Sequence, residues 1–258
     1  MKTSYNNNGL ITRKLDMRFG LLLCFLFISL TLSAQEDKQQ TTVTIKTNVG
    51  NIQLALYNQQ TPATVRNFLT YVNDGFYNKV LFHRVTASLA QAGLYNNKYK
   101  KKSVEHPPII NEAKYSSNHR IGTVAMMRGR DPHSATSQFF INTANNQQRL
   151  SYASSTVQGW GYVVFGEVIK GMDVVEKIAQ TKTGAVGSLK KYVPKTKIMI
   201  KSIKINYQAE IPATPQVVKK IIVKTKKAQS LQHTLPTPII DSTTEQWSPE
   251  PPDVPAVE

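Results

Sequence analysis

An arginine stands inside a short apolar run, Leu81-Phe82-His83-Arg84-Val85, where its presence needs a chemical reason. Apolar runs of this length usually form strands. A guanidinium has five donors, no acceptor and no neutral form at ordinary pH. The nearest acidic residue downstream is Glu105, so a local ion pair is not indicated. We therefore expect Arg84 to donate hydrogen bonds into a pocket that another molecule occupies.

Covalent and metal chemistry find little support in the rest of the sequence. The single cysteine, Cys24, lies in a segment that we expect to be removed, which excludes a thiol protease and a redox enzyme. Ser137 has no identifiable base beside it, so a hydrolase is not indicated. We interpret His83 as a packed structural histidine. We expect neither a metal ion nor a cofactor.

The balance of charge is strongly basic, because 32 Lys and Arg residues against 16 Asp and Glu give a net charge of +16. Such a charge favours contact with anionic surfaces. A nucleic-acid-binding protein, however, needs a recognisable reader module. The sequence contains no zinc-ligand set, phosphate-cradling glycine loop or RNA-binding signature. We therefore expect no nucleic-acid partner and interpret most basic residues as a solvated surface.

The N-terminal region has the pattern of a secretory signal peptide. Residues 19–32, FGLLLCFLFISLTL, are mostly apolar, Arg18 precedes them and Ser33-Ala34-Gln35 follows. This stretch is shorter than the roughly 20 residues that a membrane-spanning helix needs. We predict a signal peptide over residues 1–34, with Met17 as an alternative start, and export to the periplasm or cell envelope of a bacterium. Retention as a membrane anchor is the alternative.

Residues 35–40 are predicted to be a linker, and Thr41 to Tyr207 have the pattern of a mainly β domain. Thr41 to Tyr57 alternate around a turn at Asn48-Val49-Gly50-Asn51, which predicts a hairpin with one solvated face. Residues 197–207, KIMIKSIKINY, alternate like a closing strand. Many short strands with few helices favour a barrel or a sandwich.

Two helices are predicted within this domain. Thr61 and Pro62 predict the start of the first, with Thr61 as its cap, and Asp74-Gly75 predicts its end. The second is predicted from Met172 to Gln180.

The composition changes after Tyr207. Eight of the 13 prolines follow Glu210, and the last residues, SPEPPDVPAVE, are acidic. Such a segment buries too little apolar surface to offset the entropy of ordering it. We predict a disordered C-terminal tail over residues 208–258, first basic and then acidic, whose basic part is a candidate for contact with an anionic surface.

The order of these stretches resembles the cyclophilin family of peptidyl-prolyl cis–trans isomerases, in its secreted or periplasmic bacterial branch. The matching stretches are VGNIQLALY, TPATVRNFLTYVNDGFYN, FHRV, NEA, IGTVAMMR, SATSQFFIN and GYVVFGEVIKGMDVVEKI. They are collinear over essentially Thr41 to Tyr207, and the spacing of FHRV, SQFFIN and VVFGEV is specific. The resemblance implies a monomer with a closed eight-stranded antiparallel β-barrel, capped by two α-helices, and a shallow groove on the barrel wall.

The resemblance also implies roles for individual residues. Arg84 would be the catalytic donor to the prolyl nitrogen, and Gln138 would position the substrate backbone. Phe140 would form the apolar floor under the proline ring, and Leu150 would be one wall. The remaining candidate substrate-binding positions are Leu89, Gln91, Met127 and Tyr162.

Several groove positions depart from the family pattern. Arg149 stands where the family usually has an aromatic wall, Tyr162 where it usually has a histidine, and Met127 where it usually has an alanine. The register after FHRV has two solutions. Without a gap, Leu89 takes the place of the usual phenylalanine and Ala92 that of the usual glutamine. With a one-residue deletion, Gln91 takes the glutamine position and Leu89 shifts.

Three functions fit these observations. The first is a prolyl isomerase that acts on proline-containing unfolded or flexible polypeptides during folding outside the cytoplasm. The second is a cyclophilin-fold binding module or chaperone with weak or no catalysis, which the substitutions in the groove favour. The third is a protein that attaches to the surface of the cell envelope through its basic charge.

Overall fold

The structure is a computed structural model that describes residues 40–116, 118–187 and 189–215. Three predicted segments lie wholly or largely outside this range. They are the signal peptide with Cys24, most of the linker, and residues 216–258 of the tail. Within it, no helix is long and apolar enough to cross a membrane.

The described chain forms a nine-stranded antiparallel sheet and a separate two-stranded one. The large sheet has the strand order β3-β11-β1-β2-β8-β6-β7-β5-β4, and β9 pairs with β10. The strands are β1 Thr41–Thr47, β2 Asn51–Leu56, β3 Val80–Leu81, β4 Arg84–Val85, β5 Leu89–Ala92, β6 Thr123–Met126, β7 Phe139–Asn142, β8 Val164–Lys170, β9 Thr183–Val186, β10 Leu189–Pro194 and β11 Met199–Tyr207. The mainly β class and the predicted first hairpin are therefore confirmed.

The large sheet curls until its two edges nearly meet. Its outermost strands, β3 and β4, are separated in the chain only by Phe82 and His83. The Phe82 N–H donates to the carbonyl of Ile198 on one side, at 2.9 Å, and the His83 N–H donates to the carbonyl of Gln91 on the other, at 3.1 Å. Counted as two halves of one bent strand, β3 and β4 bring the large sheet to eight strands, the predicted number.

In the part of the chain that the structure describes, three α-helices and one short 3₁₀ helix accompany the sheets. They are α1 Pro62–Asn73, α2 Gln147–Leu150, α3 Met172–Ala179 and the 3₁₀ helix Ala113–Tyr115. The two predicted helices are confirmed as α1 and α3, whereas α2 is a single turn.

The cap of α1 differs from the sequence prediction. The Thr61 side chain makes no cap hydrogen bond. Instead, the buried carboxylate of Glu112 accepts hydrogen bonds from the N–H groups of Ala63 and Thr64, at 3.1 and 2.8 Å. The prediction of a Thr61 cap is therefore wrong, because a carboxylate distant in sequence satisfies the free donors of the first turn and complements its positive dipole end.

Side chains along each strand alternate between the two faces of the sheet. The apolar residues therefore form two clusters, one on each face. The main core contains Phe68, Tyr77, Phe139 and Phe165, whose rings pack at centroid distances of 5.1–5.6 Å. A smaller cluster contains Phe140, the next residue after Phe139. Successive side chains of a strand point to opposite faces, so one Phe-Phe pair serves both clusters.

Residues that follow the predicted end of the domain at Tyr207 contact the domain. Ala209 is buried, and its N–H donates to Thr41 Oγ1 at 3.1 Å. The Arg66 guanidinium donates to the carbonyl of Pro212 at 2.8 Å. Residues 208–215, assigned by composition to a disordered tail, therefore pack on the domain through backbone contacts that composition does not reveal.

Candidate functional site

Strand pairing aligns Arg84 with a row of residues on one face of the large sheet. Arg84 lies opposite Gln91, Gln91 opposite Phe140, and Phe140 opposite Ala125. Ala125 in turn lies opposite Val164. Directly opposed residues of antiparallel strands project from the same face. The arginine therefore stands at the edge of the face that carries the smaller apolar cluster.

Two glutamines adjoin the arginine. The Gln91 amide donates from Nε2 to Gln138 Oε1 at 3.0 Å, and both side chains line a cavity with Arg84. Ala92 is buried in the main core on the other face. The structure thus has Gln91, and not Ala92, in the position opposite Arg84, which is the register with a one-residue deletion.

Gly93 permits the close approach that brings these glutamines together. Its φ is +101°, and a Cβ there would lie 2.5 Å from the carbonyl oxygen of Ser137. The Ser137 hydroxyl donates to the Gly93 carbonyl at 2.7 Å. Ser137 is buried and joins two chain segments, so it has a structural role, in agreement with its exclusion as a nucleophile.

The smaller apolar cluster contains the other predicted groove residues. Its buried members are Tyr57, Leu89, Ala125, Phe140 and Val164, and Met127, Leu150 and Tyr162 pack against them. The rings of Phe140 and Tyr162 meet edge to face at a centroid distance of 5.8 Å. Phe140 is 0% exposed. The structure therefore brings all these positions together, with the Phe140 ring covered by its neighbours.

Arg149 lies on the other side of Arg84. Its Nη2 donates to Ser88 Oγ at 3.2 Å and to Asn146 Oδ1 at 3.1 Å. Arg84, Leu89 and Arg149 line one cavity of about 380 Å³. A cation thus occupies the position at which the resemblance leads one to expect an aromatic wall.

His83 is buried next to Arg84. Burial, together with the neighbouring Arg84 charge, lowers the pKa of His83 to about 4. The imidazole is therefore neutral near pH 7. Its ring packs on Tyr95 at a centroid distance of 4.7 Å. The sequence interpretation of His83 as a packed histidine agrees with this environment.

A buried polar network that the sequence did not predict supports Phe140 from below. The His119 ring stacks on Phe140 with centroids 6.0 Å apart and an interplanar angle of 11°. Its Nδ1 lies 3.2 Å from the Asn142 amide nitrogen, and its Nε2 lies 3.0 Å from the Tyr162 carbonyl. Both contacts are satisfied when the neutral ring carries its proton on Nε2. Burial keeps the pKa of His119 below its ordinary value.

The hairpin of β9 and β10 also reaches the site, and the sequence analysis missed it. Tyr192 on β10 places its ring centroid 5.6 Å from the Arg84 guanidinium carbon and 5.4 Å from Lys191 Nζ. Lys191 and Tyr192 lie between Lys190 and Val193, a stretch in which lysines interrupt the apolar alternation that would indicate a strand. No sequence pattern marked them. Among the described residues no group of three His, Cys, Asp or Glu side chains is placed to hold a metal ion.

A curled antiparallel sheet with an arginine, two glutamines and an apolar cluster on one face defines a cyclophilin-like protein. A cyclophilin-type peptidyl-prolyl cis–trans isomerase of Cryptosporidium parvum has this fold. The similarity has a TM-score of 0.54 at 24% identity and covers 66% of this chain and 99% of that one. A second structure of the same protein, with a TM-score of 0.53, was determined in the presence of the dipeptide Ala-Pro.

Sequence comparison identifies the family. Residues 42–205 match the family described as cyclophilin type peptidyl-prolyl cis–trans isomerase. Peptidyl-prolyl cis–trans isomerase B of Escherichia coli (strain K12) is 43% identical over 165 residues, which are 64% of this chain and 99% of that protein. Isomerase A of Dickeya dadantii (strain 3937) is 43% identical over 166 residues, 64% of this chain and 84% of that protein. The chain belongs to the cyclophilin family and is a peptidyl-prolyl cis–trans isomerase.

Proposed function

We propose that the protein accelerates X–Pro isomerisation in unfolded or flexible polypeptides during folding outside the cytoplasm, with Arg84 as the donor to the prolyl nitrogen. The observation that carries the proposal is the position of Arg84. It lies at the edge of an apolar cluster and beside two amides. Among the described residues it forms no ion pair, since the pairs there are His106–Asp74, Arg120–Glu167 and Lys177–Asp173.

The chemistry requires no nucleophile. Amide resonance creates a barrier of about 18–20 kcal/mol to rotation of the X–Pro bond. A donor aimed at the prolyl nitrogen holds its lone pair out of conjugation, so that the C–N bond rotates as a single bond. A fixed guanidinium stabilises this twisted amide more than the planar one, which is electrostatic preorganisation toward the transition state.

The neighbours of Arg84 supply binding in this proposal. Phe140 forms the floor for the proline ring, and Leu89, Met127, Leu150 and Tyr162 form its walls. Gln138 and Gln91 bind the peptide backbone, which carries one donor and one acceptor at each residue other than proline. The presence of the dipeptide Ala-Pro with a relative of the same fold supports proline-containing peptides as the ligands.

The test of the proposal is a proline-peptide isomerisation assay on the chain from Gln35 onward, with Arg84→Ala and a control, Arg130→Ala. Arg130 is exposed and lies outside the row of site residues. We expect Arg84→Ala to lower kcat/KM by roughly 100-fold, as for loss of one preorganised donor, and the control to match the wild type. Equal rates for wild type and Arg84→Ala would exclude the proposed role.

The location outside the cytoplasm is part of the same proposal and is supported by the apolar stretch that follows Arg18. The full chain, expressed in a bacterium and fractionated, should appear in the periplasmic fraction with Gln35 as its first residue. A membrane-bound protein that keeps residues 1–34 would favour the anchor instead.

A binding module with weak catalysis is the second candidate, because the Phe140 ring is covered and Arg149 replaces an aromatic wall. Peptide titrations followed by nuclear magnetic resonance separate the two functions. A binding module would show saturable shifts around Phe140 without line broadening from accelerated cis–trans exchange, whereas the isomerase would show both.

A further inference from the structure

A second cavity adjoins Arg84 on the side away from the apolar cluster. Its volume is about 440 Å³, and Gln91 and Gln138 form part of its wall. Among the described residues, three cationic side chains line it, those of Arg84, Lys101 and Lys191, and no acidic side chain does. The cavity therefore offers several hydrogen-bond donors and positive charges to whatever enters it.

The positive charges of this cavity are not neutralised by the described parts of the protein. The ion pairs there, already named, involve none of the three cations. Lys101 and Lys191 are exposed and Arg84 is partly buried. Three like charges around one concave surface repel one another and raise the potential inside it, so an anion entering the cavity would relieve this repulsion.

Tyr192 contacts two of the three cations. Its ring centroid lies 5.6 Å from the Arg84 guanidinium carbon and 5.4 Å from Lys191 Nζ. Tyr192 has a φ of +62°, a left-handed conformation that is costly for a residue with a side chain. Strain of this kind persists where the surrounding structure imposes it, often at ligand sites. The hairpin thus presents Lys191 to the cavity through an unfavourable local conformation.

We propose that this cavity binds the carboxylate of a Glu or Asp side chain close to the isomerised proline, so that the enzyme prefers acidic substrates. The inference rests on the proposed function, since Arg84 is shared by the cavity and by the proline site. An extended peptide advances at most about 3.6 Å per residue, so a residue one or two positions from the proline reaches the cavity. A carboxylate also accepts hydrogen bonds from both guanidinium and amide donors.

The test uses peptides with one central proline, in which Glu, Gln or Lys occupies each of the two positions before and after it in turn. We measure kcat/KM and Kd with the chain from Gln35 onward. At one position we expect Glu to exceed Gln by roughly threefold to tenfold and Lys to fall below Gln, as for a few partly exposed charge pairs. The preference should disappear in about 1 M NaCl, where the screening length is about 3 Å.

The variants Lys101→Gln, Lys191→Gln and their combination locate the effect. We expect the Glu-to-Gln ratio to fall to about one in the double variant. An exposed lysine on β11, Lys201, provides the matched control, since Lys201→Gln removes one charge elsewhere and should keep the ratio. A ratio below about twofold at every position, or a ratio that survives in the double variant, would overturn the inference.

The two proposals fail in different ways. If the wild-type chain isomerises no peptide faster than the Arg84→Ala variant does, the proposed catalysis fails. The Kd values alone then decide whether the cavity prefers a carboxylate. If the Gln peptides are isomerised but Glu gives no advantage in either kcat/KM or Kd, the isomerase stands and the acid-binding cavity is refuted.

Discussion

The guanidinium carbon of Arg84 lies 5.6 Å from the ring centroid of Tyr192, a residue 108 positions later in the chain. A cation over an aromatic ring at this distance is attracted by about 0.5–1 kcal/mol at an exposed site. Tyr192 is 40% exposed, so this range applies. The hairpin of β9 and β10 therefore helps to orient the side chain that we propose to be catalytic.

Replacing Tyr192 tests this orientation. We expect Tyr192→Ala to lower kcat/KM for a neutral peptide by roughly twofold to fivefold, the loss of one exposed cation–π contact. Tyr192→Phe should retain the wild-type value, because the ring and not the hydroxyl faces the cation. Equal impairment of both variants would show that the hydroxyl matters instead.

Gln91 and Ala92 distinguish the two registers that the sequence allowed. We expect Gln91→Ala to lower kcat/KM by roughly tenfold through loss of an amide that binds Gln138, with a loss of about 1 kcal/mol in the free energy of unfolding. Ala92→Gln should instead lower the free energy of unfolding by about 2 kcal/mol, because it buries an unpaired amide in the main core. Urea unfolding and the isomerisation assay separate the two effects. An active, stable Ala92→Gln variant would contradict the register described.

Met127 is expected to restrict access to Phe140. Met127→Ala restores the residue usual in the family and opens space beside a ring that is now covered. We expect kcat/KM to rise severalfold while the free energy of unfolding falls by about 1–2 kcal/mol, since a partly buried Met is truncated. A decrease in kcat/KM with unchanged stability would indicate that the contact of Met127 with the proline ring outweighs its effect on access to Phe140.

Burial of His83 predicts a pH dependence of stability. A folded-state pKa of about 4 lies below the ordinary value of 6.5. The unfolded chain therefore binds a proton first as the pH falls, and the free energy of unfolding declines between about pH 6.5 and 4. Over this whole pH range the free energy of unfolding falls by about 3 kcal/mol. Urea unfolding at several pH values should show this decline, and His83→Gln should flatten it. An unchanged slope in the variant would exclude His83 as its origin.

Because Glu112 caps α1, replacing Glu112 should lower the free energy of unfolding more than replacing Thr61. We expect Glu112→Ala to lower the free energy of unfolding by about 1–3 kcal/mol, since the buried donors of the first helical turn lose their partner. Thr61→Ser keeps the hydroxyl, whose hydrogen bond is to the Tyr57 carbonyl at 3.4 Å, and serves as the comparison with a smaller effect. Thermal and urea unfolding measure both. A loss from Glu112→Ala no larger than that from Thr61→Ser would contradict the carboxylate cap.

Much of the candidate site was predicted from the resemblance to the cyclophilin family, whose motifs FHRV and SQFFIN contain Arg84, Gln138 and Phe140. The adjacent pair Phe139 and Phe140 shows how period-two geometry assigns one ring to each face once a single residue is placed. The bounds of α1 followed from the helix signals Thr61-Pro62 and Asp74-Gly75, and the start of α3 followed from Lys170-Gly171.

Other parts depend on contacts between distant segments and were not accessible. Glu112 caps a helix that begins 50 residues earlier. Lys191 and Tyr192 meet Arg84 only because β10 folds back over β4. The register of Gln91 required knowledge of which residue of β7 stands opposite. Local propensity contains no information on these distances, since each depends on the closure of a long loop.

Arg84 follows directly on the two residues that join the edges of the large sheet, where the backbone is held by Phe82 on one side and by His83 on the other. The main chain that leads to Arg84 is thus tethered at once to Ile198, which precedes β11, and to Gln91 on β5. The amide hydrogens of Phe82 and His83 each exchange with solvent only when the segment that accepts their hydrogen bond opens. The entropic cost of fixing the main chain at Arg84 is consequently met when the chain folds. It does not recur at each turnover.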